Sequence, residues 1–275
     1  MNHTGENPAK NSIAVIPARY KSTRLPGKPL SLIAGKPLVL WTLERALAAR
    51  HIARAIVATD DQRIFAAVTG AGFEAMMTSS DHASGTDRVA EVARALPAAQ
   101  IIVNVQGDEP LISPETIDRA IEALLAPGSE SVEMATTCEP ITDAADVIDS
   151  SVVKVVIDQN GRAIYFSRSP IPYPQEAARS HGSLQAALEN EPELLSTFRK
   201  HTGLYVYRRE FLLQYSAWPQ SRLELAETLE QLRAIERGVT IRVVEAAAPS
   251  IGVDTLDDLE RVRAMLEREL ITAAR

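Results

Sequence analysis

The chain has 275 residues, 45% of them hydrophobic and 24% charged, which are globular rather than disordered proportions and fit one large domain or two small ones. A single cysteine, Cys138, excludes an internal disulfide and a multi-cysteine zinc site, and reads as a small apolar filler in a strand. The net charge of −7 argues against a generic nucleic-acid binder, and no apolar run approaches the roughly 18 residues of a membrane span.

The polar start, Met1–Asn11, lacks the apolar stretch of a signal peptide. A soluble cytoplasmic protein with a flexible tail over residues 1–11 is therefore expected. Charge is unevenly distributed. Residues 7–43 hold Lys10, Arg19, Lys21, Arg24, Lys28 and Lys36 with no Asp or Glu, which leaves the rest of the chain at −13 (the −7 total less +6). A basic loop on an acidic protein suits a small polyanion, and plain surface decoration is the alternative.

Ile13–Ile16 reads as a buried strand, and Leu38–Leu47 as a helix with a broad apolar face. Ala55–Thr59 is a second strand, followed by a helix capped by Asp61 that runs to Gly70. Glu74–Met77 is a short strand, Thr86–Leu96 a helix and Ile101–Val105 a strongly apolar strand. Ser113-Pro114-Glu115 has the signature of a helix start, with a capping Ser, Pro at the first position and an early acid; that helix should end near Leu125. The alternation predicts an α/β fold over residues 11–138. Its central sheet is mostly parallel, with helices on both faces and ligands at the carboxyl ends of the strands. Beyond it, Val152–Ile157 and Ala163–Ser167 flank Asn160-Gly161, a hairpin turn. Residues 170–200 form a proline-containing excursion with helix near Ser183–Glu189. Gly203–Tyr207 is a strand, Leu223–Arg237 a helix, Thr240–Val244 a strand and Thr255–Arg268 the last helix. The hairpin and excursion predict an inserted smaller lobe, about 150–235, on a single domain over 12–275.

Five stretches carry candidate chemistry. Pro17–Lys28 (PARYKSTRLPGK) follows a strand and combines turn residues with four cations, so its backbone N–H groups and long side chains can meet a phosphate chain. It matches neither the GxxxxGK[ST] phosphate loop nor GxGxxG. Gln106–Pro110 (QGDEP) follows the apolar strand and delivers Asp108 and Glu109 to the sheet edge, either to hold Mg²⁺ on a nucleotide or to cap a turn. Asp254 in GVDT precedes the last helix, as a second metal carboxylate or as a helix cap. His82–Arg88 (HASGTDR) places Gly85 at a helix start, where backbone can approach a ligand, with Arg88 one turn on. Tyr165–Arg168, His201–Tyr207 and Leu229–Arg233 interleave aromatic, amide, imidazole and guanidinium groups, which suits a polyhydroxylated anion or an ordinary core rim.

Together IPARYKSTRLPGKPL (Ile16–Leu30), DHASGTDR (Asp81–Arg88), VNVQGDEP (Val103–Pro110), YFSR (Tyr165–Arg168), LEQLR (Leu229–Arg233) and GVDT (Gly252–Thr255) resemble the CMP-Kdo synthetase, or 3-deoxy-manno-octulosonate cytidylyltransferase, family. The likeness runs in order from Ile13 to Leu266; the stretch between Pro174 and Lys200 is longer than the family pattern. The resemblance implies a nucleotide-diphospho-sugar transferase-like fold and the reaction CTP + Kdo → CMP-Kdo + diphosphate, for lipopolysaccharide biosynthesis. It further implies Mg²⁺, a cytoplasmic homodimer, neither nucleic acid nor membrane insertion, a mainly nucleotide-binding role for 12–138 and a sugar-binding and dimerisation role for the lobe at about 150–235. On this resemblance Arg19, Lys28, Asp108 and Asp254 are the catalytic set, and Asp108 and Asp254 hold the metal. CTP meets Ala18, Arg19, Lys28, Ser84, Gly85 and Asp108. Kdo meets Arg88, Gln106, Arg168, His201, Tyr205, Glu230 and Gln231. The rivals are a cytidylyltransferase for an amino-Kdo variant or sialic acid, a non-catalytic nucleotide-binding module, and, disfavoured by the missing glycine pattern, a nicotinamide-dependent oxidoreductase.

Overall fold

Strand β1 (Ser12–Ala18) alternates strictly, with Ala14, Ile16 and Ala18 entering one core and Ile13 and Val15 the other. A strand buried on both faces belongs in the middle of a helix-covered sheet, and that is where the computed structural model of the chain puts it. The structure describes residues 12–21, 24–126, 128–129 and 131–273. The expected tail, residues 1–11 with Lys10, lies outside them.

After β1 a short 3-10 turn and a two-stranded ribbon, β2 (Leu32–Ile33) and β3 (Lys36–Pro37), lead into α1 (Leu38–Leu47). There follow β4 (Ile52–Thr59), α2 (Gln62–Gly70), β5 (Glu74–Met77), α3 (Gly85–Arg94), β6 (Ile101–Asn104), α4 (Pro114–Leu125) and β7 (Met134–Pro140). The second half contains α5 (Ala144–Ile148), β8 (Lys154–Ile157), β9 (Ala163–Ser167), α6 (Gln175–His181) and α7 (Leu184–Asn190). It closes with β10 (Arg199–Arg208), α8 (Arg209–Ser216), α9 (Arg222–Glu227), α10 (Gln231–Glu236), β11 (Ile241–Glu245) and α11 (Leu256–Ala273).

The main sheet runs β11-β7-β10-β6-β1-β4-β5, with the β8–β9 hairpin attached to β10. β5, β4, β1 and β6 are mutually parallel, β11 is parallel to β7, and β10 is antiparallel to both of its neighbours β6 and β7. Six of these seven strands therefore point one way and β10 is reversed. That reversal brings the amino-terminal half of β10 to the edge where the parallel strands end. α1, α2 and α4 pack one face, and α3, α8 and α10 the other. α11 lies over Leu25, Ile33, Leu38 and Trp41 in a third cluster, and the excursion closes a small fourth core around Phe198, Leu184 and Leu188.

The mostly parallel sheet covered on both faces agrees with the sequence reading, and so does the Asp158–Arg162 turn, where Gly161 has φ 70°. Asp61 caps α2 through the Arg63 N–H, as expected. Ser113 stands at the head of α4, but its side chain makes no capping bond. The main departure is the expected helix 223–237. It breaks into α9 and α10 at Thr228, which adopts φ 55°. The cause is tertiary. The Glu227 carboxylate accepts from Ser167 Oγ (2.6 Å) and Arg168 N (2.9 Å), and the Glu227 carbonyl accepts from Arg168 Nε (2.7 Å), so that carbonyl is drawn out of the helical ladder. The reversed strand is also longer than the expected 203–207.

Candidate functional site

Two joined cavities open at the carboxyl edge of the parallel strands, which is the expected ligand position for an open α/β sheet. The first, about 360 Å³, is lined by Ala18, Arg19, Lys21, Arg24, Lys28, Gly107, Asp108 and Asp254 among others. The second, about 370 Å³, is lined by Gly85, Thr86, Asn104, Gln106, Asp108, His201, Gly203, Tyr205, Glu230 and Gln231 among others. Gln106 and Asp108 belong to both and mark the junction.

The first cavity collects the basic loop. The Lys28 ammonium lies between Asp108 Oδ2 (2.6 Å) and Asp254 Oδ1 (3.1 Å), and Arg24 reaches the other Asp254 oxygen at 3.1 Å. The two aspartates meet because the Asp108 carbonyl accepts from Val253 N at 2.8 Å, which fastens the segment before α11 to the end of β6. Capping of α11 falls to Thr255 and Asp258, whose side chains and N–H groups bond reciprocally, so Asp254 is left to the cavity rather than used as a cap. Gly107 permits the close approach of β1: a Cβ there would stand 2.7 Å from the Pro17 carbonyl oxygen. Arg19 is held by two carbonyls of the loop before α3, His82 O and Ser84 O, both at 2.9 Å. Ser84 caps α3 in a reciprocal box with Asp87, and the helix start at Gly85 and Thr86 lines the second cavity.

The second cavity is polar but carries no cation on its walls among the described residues. Gln106 Nε2 donates to the Gly203 carbonyl (3.2 Å) and reaches Asn104 Oδ1 (3.3 Å). Gly203 is required here, since a Cβ would sit 2.9 Å from Gln106 Cγ. Glu230 accepts from Thr86 Oγ at 2.6 Å. Gln231 is buried, and its Nε2 has no hydrogen-bond partner in the protein. Such a donor is expensive to leave unmet, and the cavity it lines offers the place for a ligand acceptor. Burial pushes the His201 imidazole down to about 3 and holds the Tyr205 phenol well above its ordinary value, so both walls are neutral. Behind the junction, burial and then the Asp108 charge push the Glu109 carboxyl up to about 7.

Of the sequence-predicted residues, Ala18, Arg19, Lys28, Asp108 and Asp254 share the first cavity, and Gly85, Gln106, His201, Tyr205, Glu230 and Gln231 share the second. Ser84 lies beside them on the wall of a neighbouring cleft. Two arginines depart from the sequence reading. Arg88 is fully buried, bonded to Thr78 Oγ and 3.4 Å from Asp60, because its position on α3 faces the sheet rather than the cavity. Arg168 lines neither cavity. Its guanidinium donates to the carbonyls of Glu227 and Ser150 and fixes the break before α10. Thr86 and Asn104 were missed, since a lone Thr or Asn carries no motif; their adjacency to Gly85 and Gln106 was the available signal.

An open, mostly parallel sheet with a cationic, carboxylate-bearing cavity joined to a polar one without a cation is the architecture of a nucleotidyltransferase-like protein. Similarity comparisons agree. The profile of the Cytidylyltransferase family matches residues 13–241. A 3-deoxy-manno-octulosonate cytidylyltransferase of Trichlorobacter lovleyi is 50% identical over 256 residues, covering 93% of this chain and 98% of that relative. One of Pseudomonas fluorescens is 51% identical over 256 residues, covering 92% and 97%. A solved CMP:2-keto-3-deoxy-manno-octonic acid synthetase complexed with CTP superposes with a TM-score of 0.83 at 44% identity, covering 94% of this chain and 99% of that one. A 4-diphosphocytidyl-2C-methyl-D-erythritol synthase of Anaerococcus prevotii shares the fold alone, at TM-score 0.58 and 15% identity. The chain belongs to the cytidylyltransferase family.

Proposed function

We infer that the protein is a 3-deoxy-manno-octulosonate cytidylyltransferase, converting CTP and Kdo to CMP-Kdo and diphosphate for lipopolysaccharide biosynthesis. The observation that carries this reading is the junction at Gln106–Asp108, where a cationic cavity meets a polar one that holds no cation.

The chemistry follows from that arrangement. The CTP triphosphate lies in the first cavity, where Arg19, Lys28, Lys21 and Arg24 offset its charge and stabilise the departing pyrophosphate. Ser84, Gly85 and the Ala18 backbone bound the nucleoside. The body of the sugar acid lies in the second cavity against Gln106, His201, Tyr205, Glu230 and Gln231. In a 2-keto sugar acid the anomeric carbon carries both the hydroxyl and the carboxylate. Delivering that hydroxyl to the α-phosphorus therefore brings the carboxylate to the junction as well, near Lys28 and Arg19. This accounts for a sugar cavity without a cation of its own. The anomeric oxygen forms the new bond to the α-phosphorus and its proton passes to solvent, the bond to the β-phosphate breaks, and pyrophosphate leaves in line. Positioning of the two substrates supplies much of the rate.

Asp108 and Asp254 fit Mg²⁺. The ion takes one or two carboxylates and completes its shell with phosphate oxygens and water. Here two carboxylates converge on one cation, the Lys28 ammonium, which supports the reading that the pair would hold a positive charge. No group of three or more His, Cys, Asp or Glu is arranged to hold a metal unaided among the described residues. When bound, Mg²⁺ would neutralise charge between an anionic acceptor and the nucleotide. No helix among the described residues is long and apolar enough to cross a membrane, and a cytoplasmic homodimer is the setting we assign.

The test is diphosphate release with CTP, Mg²⁺ and a panel of keto-sugar acids that includes Kdo, its amino variant and sialic acid. Highest kcat/KM on Kdo supports the reading. Preference for another member moves the assignment to that acid, and CTP binding without turnover on any of them overturns it in favour of a binding module.

A further inference from the structure

Strand β10 bulges where it passes β7. Thr202 pairs with Thr137, yet the next paired residue, Tyr205, lies opposite Thr136, so Gly203 and Leu204 are extra. The bulge turns the Leu204 carbonyl onto the Thr136 hydroxyl at 2.7 Å, with the Thr202 carbonyl also facing it at 3.4 Å. The same hydroxyl lies 2.9 Å from His201 Nε2.

A hydroxyl has one proton, and a carbonyl oxygen can only accept one. The Thr136 proton is therefore committed to Leu204 O, and the Thr136 oxygen presents its lone pairs to His201. Nε2 must carry the imidazole proton and donate it. The alternative, in which Thr136 donates to His201, would set oxygen lone pairs against each other at 2.7 Å inside a strand pair where Thr136 is fully buried. Burial keeps the ring neutral, so Nδ1 is bare. Phe166 packs edge-on to the ring at 5.1 Å and Tyr205 lies against it at 5.3 Å, which holds its plane. His201 lines the second cavity, and no protein donor meets Nδ1 among the described residues.

We propose that Thr136, which lines neither cavity, is a positioning residue that fixes the Nε2–H tautomer of His201 and so reserves Nδ1 as an acceptor for a hydroxyl of the bound sugar acid. The proposal rests on the sugar-acid reading of this cavity. It also sets polarity: a bare Nδ1 repels a carboxylate, which agrees with the acid group lying at the junction. A deoxy or O-methyl group at the facing position has no proton to offer and binds more weakly.

Two measurements test it. The first is ring ¹⁵N NMR on the ligand-free protein, with the His201 signals identified by their loss in His201→Gln. The expected spectrum shows a protonated Nε2 and a bare Nδ1 in the wild type and in Thr136→Ser, and a mixture of tautomers in Thr136→Val. A proton on Nδ1 in the wild type overturns the proposal, whatever the variants do. The second is steady-state kinetics. Thr136→Val should raise KM for the sugar acid about tenfold, the worth of one net hydrogen bond, with KM for CTP unchanged; Thr136→Ser should restore the wild-type value. A wild-type sugar KM in a folded Thr136→Val protein also overturns it. Absence of product with every keto-sugar acid would refute the functional reading and the ligand part of this proposal, while the NMR result, which needs no substrate, separately judges the tautomer.

Discussion

Replacing Gly107 by alanine probes the fit on which the junction depends. The added Cβ would stand 2.7 Å from the Pro17 carbonyl oxygen and 3.4 Å from Ile16 Cγ2. A carbon–oxygen contact settles at about 3.3 Å or more, so some part must give by roughly 0.6 Å. The Pro17 carbonyl belongs to β1, which is held by β4 along its whole length, Pro17 included, and by β6 over residues 12–15. The yielding part is therefore the 106–108 turn, and Asp108 moves with it. Overpacking of this kind costs about 1–3 kcal/mol. At about 2–4 °C per kcal/mol for a chain of this size, Tm should fall by roughly 2–12 °C. Misplacing a reacting group by 1 Å costs about 100-fold in rate, so a shift somewhat over half as large should lower kcat by about tenfold. Thermal melting and a coupled diphosphate-release assay measure both. Gly70→Ala is the control: nothing lies within 4 Å of its Cβ position at the end of α2, and it should be neutral or stabilising by about 0.5–1 kcal/mol. Gly107→Ala with unchanged Tm and full turnover would refute the claim that this contact sets the position of Asp108.

Three further outcomes are expected. Asp108→Asn and Asp254→Asn should each reduce turnover by orders of magnitude while the melting transition persists, and EDTA should abolish wild-type activity until Mg²⁺ is returned; near-normal turnover in either variant sinks the paired-carboxylate assignment. Arg88→Ala should act on stability, losing roughly 3 kcal/mol by stripping Asp60 and Thr78 of their buried partner, and an effect confined to the sugar KM with an unaltered melt would restore Arg88 to the cavity. Burial pushes the Cys138 thiol up to about 11, so little thiolate is present at pH 8. Iodoacetamide should label one thiol only after denaturation, and rapid labelling of the folded protein would contradict the packing of β7.

Much of the fold was legible because its signals are local. Strand β6 is a run of apolar residues, α2 begins at an Asp cap, and the Asn160-Gly161 turn needs a residue tolerant of positive φ. The break at Thr228 was not legible. Leu223–Arg237 keeps helical periodicity throughout, and what interrupts it is Arg168, some 60 residues earlier in the chain. Arg88 misled for a related reason. A charged residue on the first turn of a helix is usually solvated, and only the packing of α3 on the sheet turned it inward.

By itself the sequence determined the alternation of strands and helices, the basic segment 7–43 and the residues with the right chemistry: Arg19, Lys28, Asp108, Asp254 and the Gln106, His201 and Glu230 groups. The alternation and the basic segment follow from composition and short-range pattern, and the choice of those residues follows from the family motifs in which they stand; neither depends on where distant segments lie. Only the tertiary structure decided which of them meet. The Val253–Asp108 backbone bond joins aspartates 146 residues apart around Lys28, and the reversal and bulge of β10 carry His201 to the edge where β6 ends. Those contacts are non-local. They are fixed by burying two faces of one sheet at once, so no window of sequence contains them.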